Sequence, residues 1–446
     1  MPQRMGRRSF NRMLWGTAVA AGLDKAGWSS TAAPQAGSQL RVDGRRLNNT
    51  LHQLSRFGRN GLGGVSRVAY SPADVQGREY VQGLMDRAGL ETSIDAAGNL
   101  VGRRPGNRPE LPPLLAGSHI DTVPQGGNYD GIVGSLAAIE AARSLQENGI
   151  SLDHPLEVII FANEEGGQTG ARALSGRLRP QDLGRRSHSG MTLREGIAVI
   201  GGDPRRLDQV RRNPGQVFAY LELHVEQGPL LDAAGIDVGV VEGIVGIHRW
   251  MVTVEGFANH AGTTPMDRRQ DALLAAALFI EAVNQAVTGI PGRQVGTVGW
   301  IEASPGAPNV VPGRVRLTLE MRDLDWGKID RLFAQLEQNA AQIGQQTGTE
   351  FAFEEIYNNP PRFTEAKIQA LISQSARDLG LSQQSMPSGA GHDAQSISHI
   401  APMGMIFVPS RDGISHSGRE FTSPQDATNG ANLLLHSLLA LDRATL

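Results

Sequence analysis

Residues 114–140 read LLAGSHIDTVPQGGNYDGIVGSLAAIE. The apolar run Leu114-Leu115-Ala116 predicts the end of a buried strand. Gly117-Ser118-His119, Asp121, a Pro-Gly-Gly loop and Asp130-Gly131 follow, and then Ile132, Leu136, Ala137 and Ile139 fall at helical spacing. One strand–loop–helix unit therefore carries a histidine and two aspartates in its loop. In open α/β sheets, such loops at the carboxyl ends of strands are where sites are built.

Outward from this unit the same texture recurs. Leu156 to Ala162 (LEVIIFA) is a near-continuous apolar run of strand length, as in a strand buried on both faces, and it ends in Asn163-Glu164-Glu165-Gly166-Gly167. Ala219 to Leu223 leads into Glu222-Leu223-His224-Val225-Glu226-Gln227-Gly228. Strand, helix and strand in succession predict a parallel sheet with right-handed crossovers. Upstream, 73–88 is helical and 91–94 with 99–102 reads as a short hairpin. Residues 170–215 are Arg- and Gly-rich with weak periodicity, predicting loop with short helices.

The texture changes near Val245. Strand-like alternation at 248–256, 295–301 and 310–322, helical runs at 271–287 and 329–345, and a closing strand at 350–356 give the order β-α-β-β-α-β of a ferredoxin-like layer. After Pro360-Pro361 the α/β texture resumes, with a helix over 365–379, a strand over 403–408 and a helix over 426–441. The expected fold is thus α/β: a mixed, mostly parallel sheet flanked by helices, built from 42–245 and 361–446, with an α+β insertion over 246–360.

The chain has 446 residues, 40% hydrophobic and 20% charged, which suits two soluble globular domains. A formal net charge of -3 gives no electrostatic reason to expect nucleic acid. Cysteine is absent, excluding disulfides, thiol catalysis and Cys-ligated zinc. Residues 1–36 differ in kind: Arg7-Arg8-Ser9-Phe10, a mildly apolar stretch from Met13 to Leu23, then small residues at 29–33. That pattern predicts a twin-arginine export signal and a periplasmic destination, or a cytoplasmic protein if the leader is not a signal. The apolar part is too short for a stable membrane anchor.

Polar residues cluster just after the buried strands: His119, Asp121, Asp130, Glu164, Glu165, His224, Glu226 and Gln227. His416 joins them from Ser415-His416-Ser417-Gly418-Arg419-Glu420. Isolated charges at the edge of an apolar core are costly, and metal coordination explains them. Imidazole and carboxylate donors without thiolate suit Zn, Mn, Co or Ni. Three His with two or more carboxylates exceed what one tetrahedral zinc requires, and fit two divalent ions sharing a carboxylate and a water. Singly, each has another reading: a buried core histidine for His119 or His224, a helix N-terminal pair for Glu164-Glu165, a surface-loop residue for His416.

The motif series is also specific. Gly117-Ser118-His119-Ile120-Asp121-Thr122, Asp130-Gly131, Asn163-Glu164-Glu165-Gly166, Glu222 to Gly228, His260-Ala261-Gly262-Thr263-Thr264-Pro265-Met266, Pro308-Asn309-Val310-Val311-Pro312-Gly313, Ser388-Gly389-Ala390-Gly391-His392-Asp393-Ala394 and Ser415 to Glu420 together resemble the hydantoinase/carbamoylase-family amidases. These include N-carbamoyl-L-amino-acid hydrolases, allantoate amidohydrolases and β-ureidopropionases, within the wider group of dinuclear aminoacylases and zinc carboxypeptidases. The likeness runs in order from about Val42 to the C-terminus.

The resemblance implies roles. His119, Asp130 and His224 match the ligands of a first metal, and Asp130, Glu165 and His416 those of a second, with Asp130 bridging. Asp121 would orient His119, and Glu164 matches the general base. His260 and Asn309 match an oxyanion-steadying pair. Arg322 matches a guanidinium that grips the substrate carboxylate; on its own residues it reads first as a surface strand residue paired with Asp323 or Glu320. Gln227 and the backbone near Gly391 would complete the pocket. The insertion would serve as lid and homodimer contact. The implied activity is hydrolysis of a linear C–N bond in a carboxylate-bearing carbamoyl or ureido compound, with allantoate hydrolysis, acyl-amino-acid or dipeptide hydrolysis, and a non-catalytic binding protein as rivals. One stretch departs: where the family carries an Arg-Phe pair and then Gly-Ser, this chain has Gly167-Gln168-Thr169-Gly170-Ala171-Arg172 and Ser175-Gly176, so the likeness does not extend to that wall of the pocket.

Overall fold

The computed structural model describes residues 40–61 and 63–446. The export signal expected in 1–36 lies outside them. The core is a nine-stranded sheet. At its centre four strands lie side by side and parallel: Leu156–Phe161, Leu114–His119, Ala219–Val225 and Met403–Val408. Every residue of all four is buried, which is why they read as mostly apolar runs rather than as an alternation. The hairpin Glu91–Ile94/Leu100–Arg104 adds antiparallel to one side. On the other side Val238–Ile244 runs antiparallel to Met403–Val408 and takes Gln383–Ser388 and Arg362–Phe363 as partners.

Helices cover both faces. Ile132–Glu147, Pro424–Leu441 and Ala366–Asp378 form one layer with the sheet. The short helices Thr169–Leu174 and Asp393–Ile397 pack on the other. Local signals set the helix starts: Ser71 caps Pro72–Arg87 by accepting from the Asp74 N–H, and Ser423 does the same for Asp426. Helix Ile132–Glu147 lies so close to the sheet that a Cβ on Gly134 would sit 1.8 Å from the Leu223 carbonyl oxygen. Among the described residues no helix is long and apolar enough to cross a membrane.

A second, four-stranded antiparallel sheet is built from Gly246–Glu255, Val295–Ser304, Arg314–Asp323 and Glu350–Asn359. Numbered along the chain, its spatial order is 4-1-3-2, with helices Ala272–Thr288 and Trp326–Thr347 between strands one and two and three and four. That is the ferredoxin-like arrangement. Strand Gly246–Glu255 alternates strictly between buried and half-buried, so one face meets the helices through Trp250, Val252, Val254, Phe279 and Leu336 and the other faces outward. The alternation expected to run unbroken over 310–322 is interrupted: Val310–Val311 pairs with Asn259–His260 in a separate ribbon, and the sheet strand begins at Arg314. Pro312 has no N–H to give a ladder, and a Cβ on Gly313 would meet the Ala258 nitrogen at 2.7 Å.

Candidate metal centre

The carboxyl ends of the three adjacent strands Leu114–His119, Leu156–Phe161 and Ala219–Val225 deliver His119, the Glu164-Glu165 turn and His224 to one place. Among the described residues three groups each have their donor atoms within 4.8 Å of one another: Glu222, His224 and His392, and two triads, His119, Asp130 and His224, and Asp130, Glu165 and His416. Asp130 belongs to both triads. Its Oδ1 lies 3.1 Å from His224 Nε2 and 3.6 Å from His119 Nε2, while Oδ2 lies 3.2 Å from His416 Nε2. Glu165 Oε1 is 3.5 Å from His416 Nε2, and Glu164 Oε2 is 3.8 Å from His119 Nε2.

The supporting contacts aim these donors. His119 Nδ1 faces the Asp121 carbonyl at 3.0 Å and His224 Nδ1 the Val225 carbonyl at 2.9 Å. Each ring thereby keeps Nε2 for the centre. The Asp121 carboxylate is 3.7 Å from the His119 ring and accepts the backbone N–H groups of Glu164 and Glu165. Gly131 follows Asp130 at φ +69°, and a Cβ there would fall 2.2 Å from His119 Nε2, so the chain passes this point only as glycine.

Electrostatics match a cation site. Burial alone would raise the Asp130 carboxyl, but His224, His119 and His416 hold it well below the usual range. Burial, reinforced by neighbouring carboxylates, pushes Glu164 up to about 7 and Glu165 up to about 8. Such crowding of buried acids is costly unless positive charge is present, and a divalent ion inverts it. Gln227 donates from Nε2 to Asp130 Oδ2 at 2.6 Å, while its buried Oε1 has no partner. The donor set of imidazole and carboxylate, a bridging position and an orphaned acceptor beside it all fit bound metal.

The centre floors a cleft of about 600 Å³. His119, Asp130, Glu164, Glu165, His224 and His416 line it, with Gln227, Arg322 and Gly391. Arg322 donates from Nε to Glu320 at 2.8 Å and from Nη1 to the Gly389 carbonyl at 2.7 Å; it is both a paired strand residue and a cleft residue. His260 and Asn309 stand side by side, the Ala261 N–H bonding the Asn309 carbonyl at 2.9 Å, but both are exposed and outside the cleft lining. They follow the far end of Gly246–Glu255, whose 10 residues span roughly 33 Å, whereas Ile247 and Arg322 pair at the near end.

Several supporting residues escaped the sequence reading. Glu420, though inside the quoted Ser415–Glu420 motif, received no role; its Oε1 accepts the N–H of Tyr129 at 2.7 Å and of Asp130 at 3.0 Å. Ser415 Oγ donates to Asp130 Oδ2 and Glu420 Oε2. Glu222 joins Ser118 Oγ to the Ala394 N–H. Buried polar residues among apolar strand ends were the available signal. Arg172, Arg177, Arg179, Arg185 and His399 also line the cleft, and nothing in the sequence marked them as doing so.

Comparison with known proteins agrees with this geometry. Residues 115–440 match the model of peptidase family M20/M25/M40. The chain is 38% identical to an N-carbamoyl-L-amino acid amidohydrolase of Geobacillus stearothermophilus, over 90% of this chain and 99% of that one. It is 36% identical to a ureidoglycolate hydrolase of Arabidopsis thaliana, over 91% and 88%. A crystal structure of a hydantoinase/carbamoylase-family amidase from Burkholderia multivorans superposes with a TM-score of 0.84 at 35% identity, covering 91% of this chain and all of that one.

Proposed function

The chain belongs to peptidase family M20/M25/M40, on its hydantoinase/carbamoylase amidase branch, and from that premise we propose that it hydrolyses the linear C–N bond of N-carbamoyl-L-amino acids or related ureido acids. Water adds across the carbamoyl group, and the products are the amino acid, carbon dioxide and ammonia. The observation that carries the reading is the pair of triads sharing Asp130, with Glu164 beside them.

Two divalent ions, of Zn, Mn, Co or Ni, would be held by His119, Asp130 and His224 and by Asp130, Glu165 and His416. Bound there, they supply Lewis acidity to the substrate carbonyl and acidify water. The chain's own groups supply the rest. Glu164 takes a proton from water and returns it to the leaving nitrogen; a carboxylate pushed up to about 7 suits both steps. Arg322 at the cleft wall binds the substrate carboxylate, with Gln227 and the Gly391 backbone orienting the ureido end.

His260 and Asn309 are assigned to the transition-state oxyanion of a neighbouring subunit's site. A strand length separates them from their own cleft, so the active form is a homodimer joined through the 246–360 region, which acts as a lid. Residues 1–36 are assigned to twin-arginine export to the periplasm.

The test is ammonia release from carbamoyl-amino acids, ureidopropionate, allantoate and acyl-amino acids, with Mn, Co, Ni and Zn added in turn. Release only from acyl-amino acids or dipeptides as free amine, without ammonia, would replace this reading with the acylase one. Turnover by metal-stripped protein would end it.

A further inference from the structure

One part of the cleft lining is rich in cationic side chains. Four arginines on the 170–185 segment line it. Arg172 and Arg179 share a single carboxylate, Asp182. Arg177 and Arg185 have no acidic partner among the described residues. The only acids lining the cleft are Asp130, Glu164 and Glu165, all on the metal floor. His399 also lines the cleft, with Arg362 Nη2 2.9 Å from its Nε2, and burial, with the charges of Arg362 and Arg177, pushes this imidazole down to about 4. Gln168, Gln395 and Ser396 add polar side chains, and Gly167, Ala390 and Gly391 small ones. All of these sit on the α/β half, so the wall keeps its character wherever the lid stands.

The cleft's apolar lining is confined to Ile247, Tyr357 and Ala390, and none of the 170–185 lining residues adds to it. Arg177 and Arg185, both exposed and without an acidic partner among the described residues, offer charge-assisted, two-pronged bonds to an anion that enters the cleft. Arg322 is already assigned to the α-carboxylate, so the wall addresses a different group. We infer that the substrate is a ureido dicarboxylate, an N-carbamoyl-L-amino acid with an acidic side chain, whose second carboxylate is received by Arg177 and Arg185. This rests on the amidohydrolase reading above and narrows it. Of the wall residues, Gln168 and Arg172 fall in the stretch after Glu165 where the chain departs from its family's pattern, and Arg177 follows directly after it.

The experiment compares kcat/KM for N-carbamoyl-L-glutamate and N-carbamoyl-L-aspartate with that for N-carbamoyl-L-glutamine, the neutral isostere, on metal-loaded full-length enzyme. N-carbamoyl-L-methionine and allantoate serve as apolar and neutral references. One acidic substrate should exceed the glutamine compound by about tenfold or more. That ratio should fall severalfold in Arg177→Gln and in Arg185→Gln, and approach unity in the double variant. Because the ratio is taken within one enzyme preparation, partial misfolding cancels from it. Equal rates on glutamate and glutamine compounds, a preference for methionine, or a ratio untouched by the double variant would each overturn the inference while leaving the hydrolase reading intact. Failure to release ammonia from any ureido acid would remove the underlying reading and this inference with it.

Discussion

The Asp121 carboxylate accepts the backbone N–H of Glu165 through Oδ2 at 3.2 Å, while its Oδ1 takes that of Glu164 at the same distance. Its own carbonyl oxygen meets His119 Nδ1. One buried residue therefore aims an imidazole and fixes the turn that carries the two glutamates. Asp121→Asn keeps the shape but sets an amide NH2 against one of those N–H donors. The expected result is a 10–100-fold loss of metal affinity with the fold retained. Chelator competition alongside circular dichroism measures both; unchanged affinity would remove Asp121 from this role.

Glu164→Gln preserves hydrogen bonding and volume but cannot take a proton. Turnover should drop by about 10²–10⁴, while metal content by elemental analysis stays as in the parent. Near-normal turnover would assign the base elsewhere.

Gly131→Ala should empty the first triad. The added carbon would meet the His119 ring in a left-handed backbone conformation at φ +69°, itself disfavoured by roughly 1–2 kcal/mol. Loss of bound metal together with a lowered melting temperature is expected. A variant that binds metal normally would show that the ring yields more freely than its packing indicates.

His399 should remain neutral well below the ordinary histidine range. Burial is the larger cause and the Arg362 and Arg177 charges add to it. An unfolded chain takes up this proton near pH 6.5 and the folded one only near 4, so His399 favours folding above pH 6.5 and this contribution drains away as pH falls toward 4. Imidazole proton shifts followed by NMR should give a midpoint near 4, moving upward in Arg362→Gln. A midpoint near 6.5 in the parent would contradict the cationic surroundings.

Mixed dimers test whether His260 serves the neighbouring subunit. His260→Ala and Glu164→Gln should each be inactive alone. Refolded together in equal amounts, half the dimers are mixed and each holds one intact site, so activity should return to roughly a quarter of the parent value. No recovery would place His260 in its own subunit's site or outside catalysis.

Much of this molecule is legible from sequence because its central strands are buried on both faces: LLAGSH, LEVIIF and MGMIFV stand out as mostly apolar runs of strand length. Val238–Ile244 did not, because Gly239, Glu242 and Gly243 break the run. Gln383–Ser388 carries almost no apolar signal and is held by its pairing with Val238–Ile244, a tertiary decision no local pattern records. The metal residues stood out as charges set at the ends of apolar strands. The arginine wall did not, since an Arg-rich segment without periodicity reads the same whether it faces solvent or a cleft. What separates Arg177 from Arg205 is only where the chain folds them: Arg205 pairs with Asp203 two residues away, and Arg177 faces the site.

The grip of Glu420 on the Tyr129 and Asp130 amides closes a loop of about 290 residues. It has a consequence in time. The shared ligand cannot be locked into place until the last strand and the segment after it have docked, and contacts of such separation form late. A chain stopped before Ser415 would possess three strand-end ligands and most of its core, yet no lock on Asp130 and no second triad. Assembly of the second triad is thereby coupled to completion of the whole polypeptide, whereas the donors of the first are already present in a chain that stops short of it.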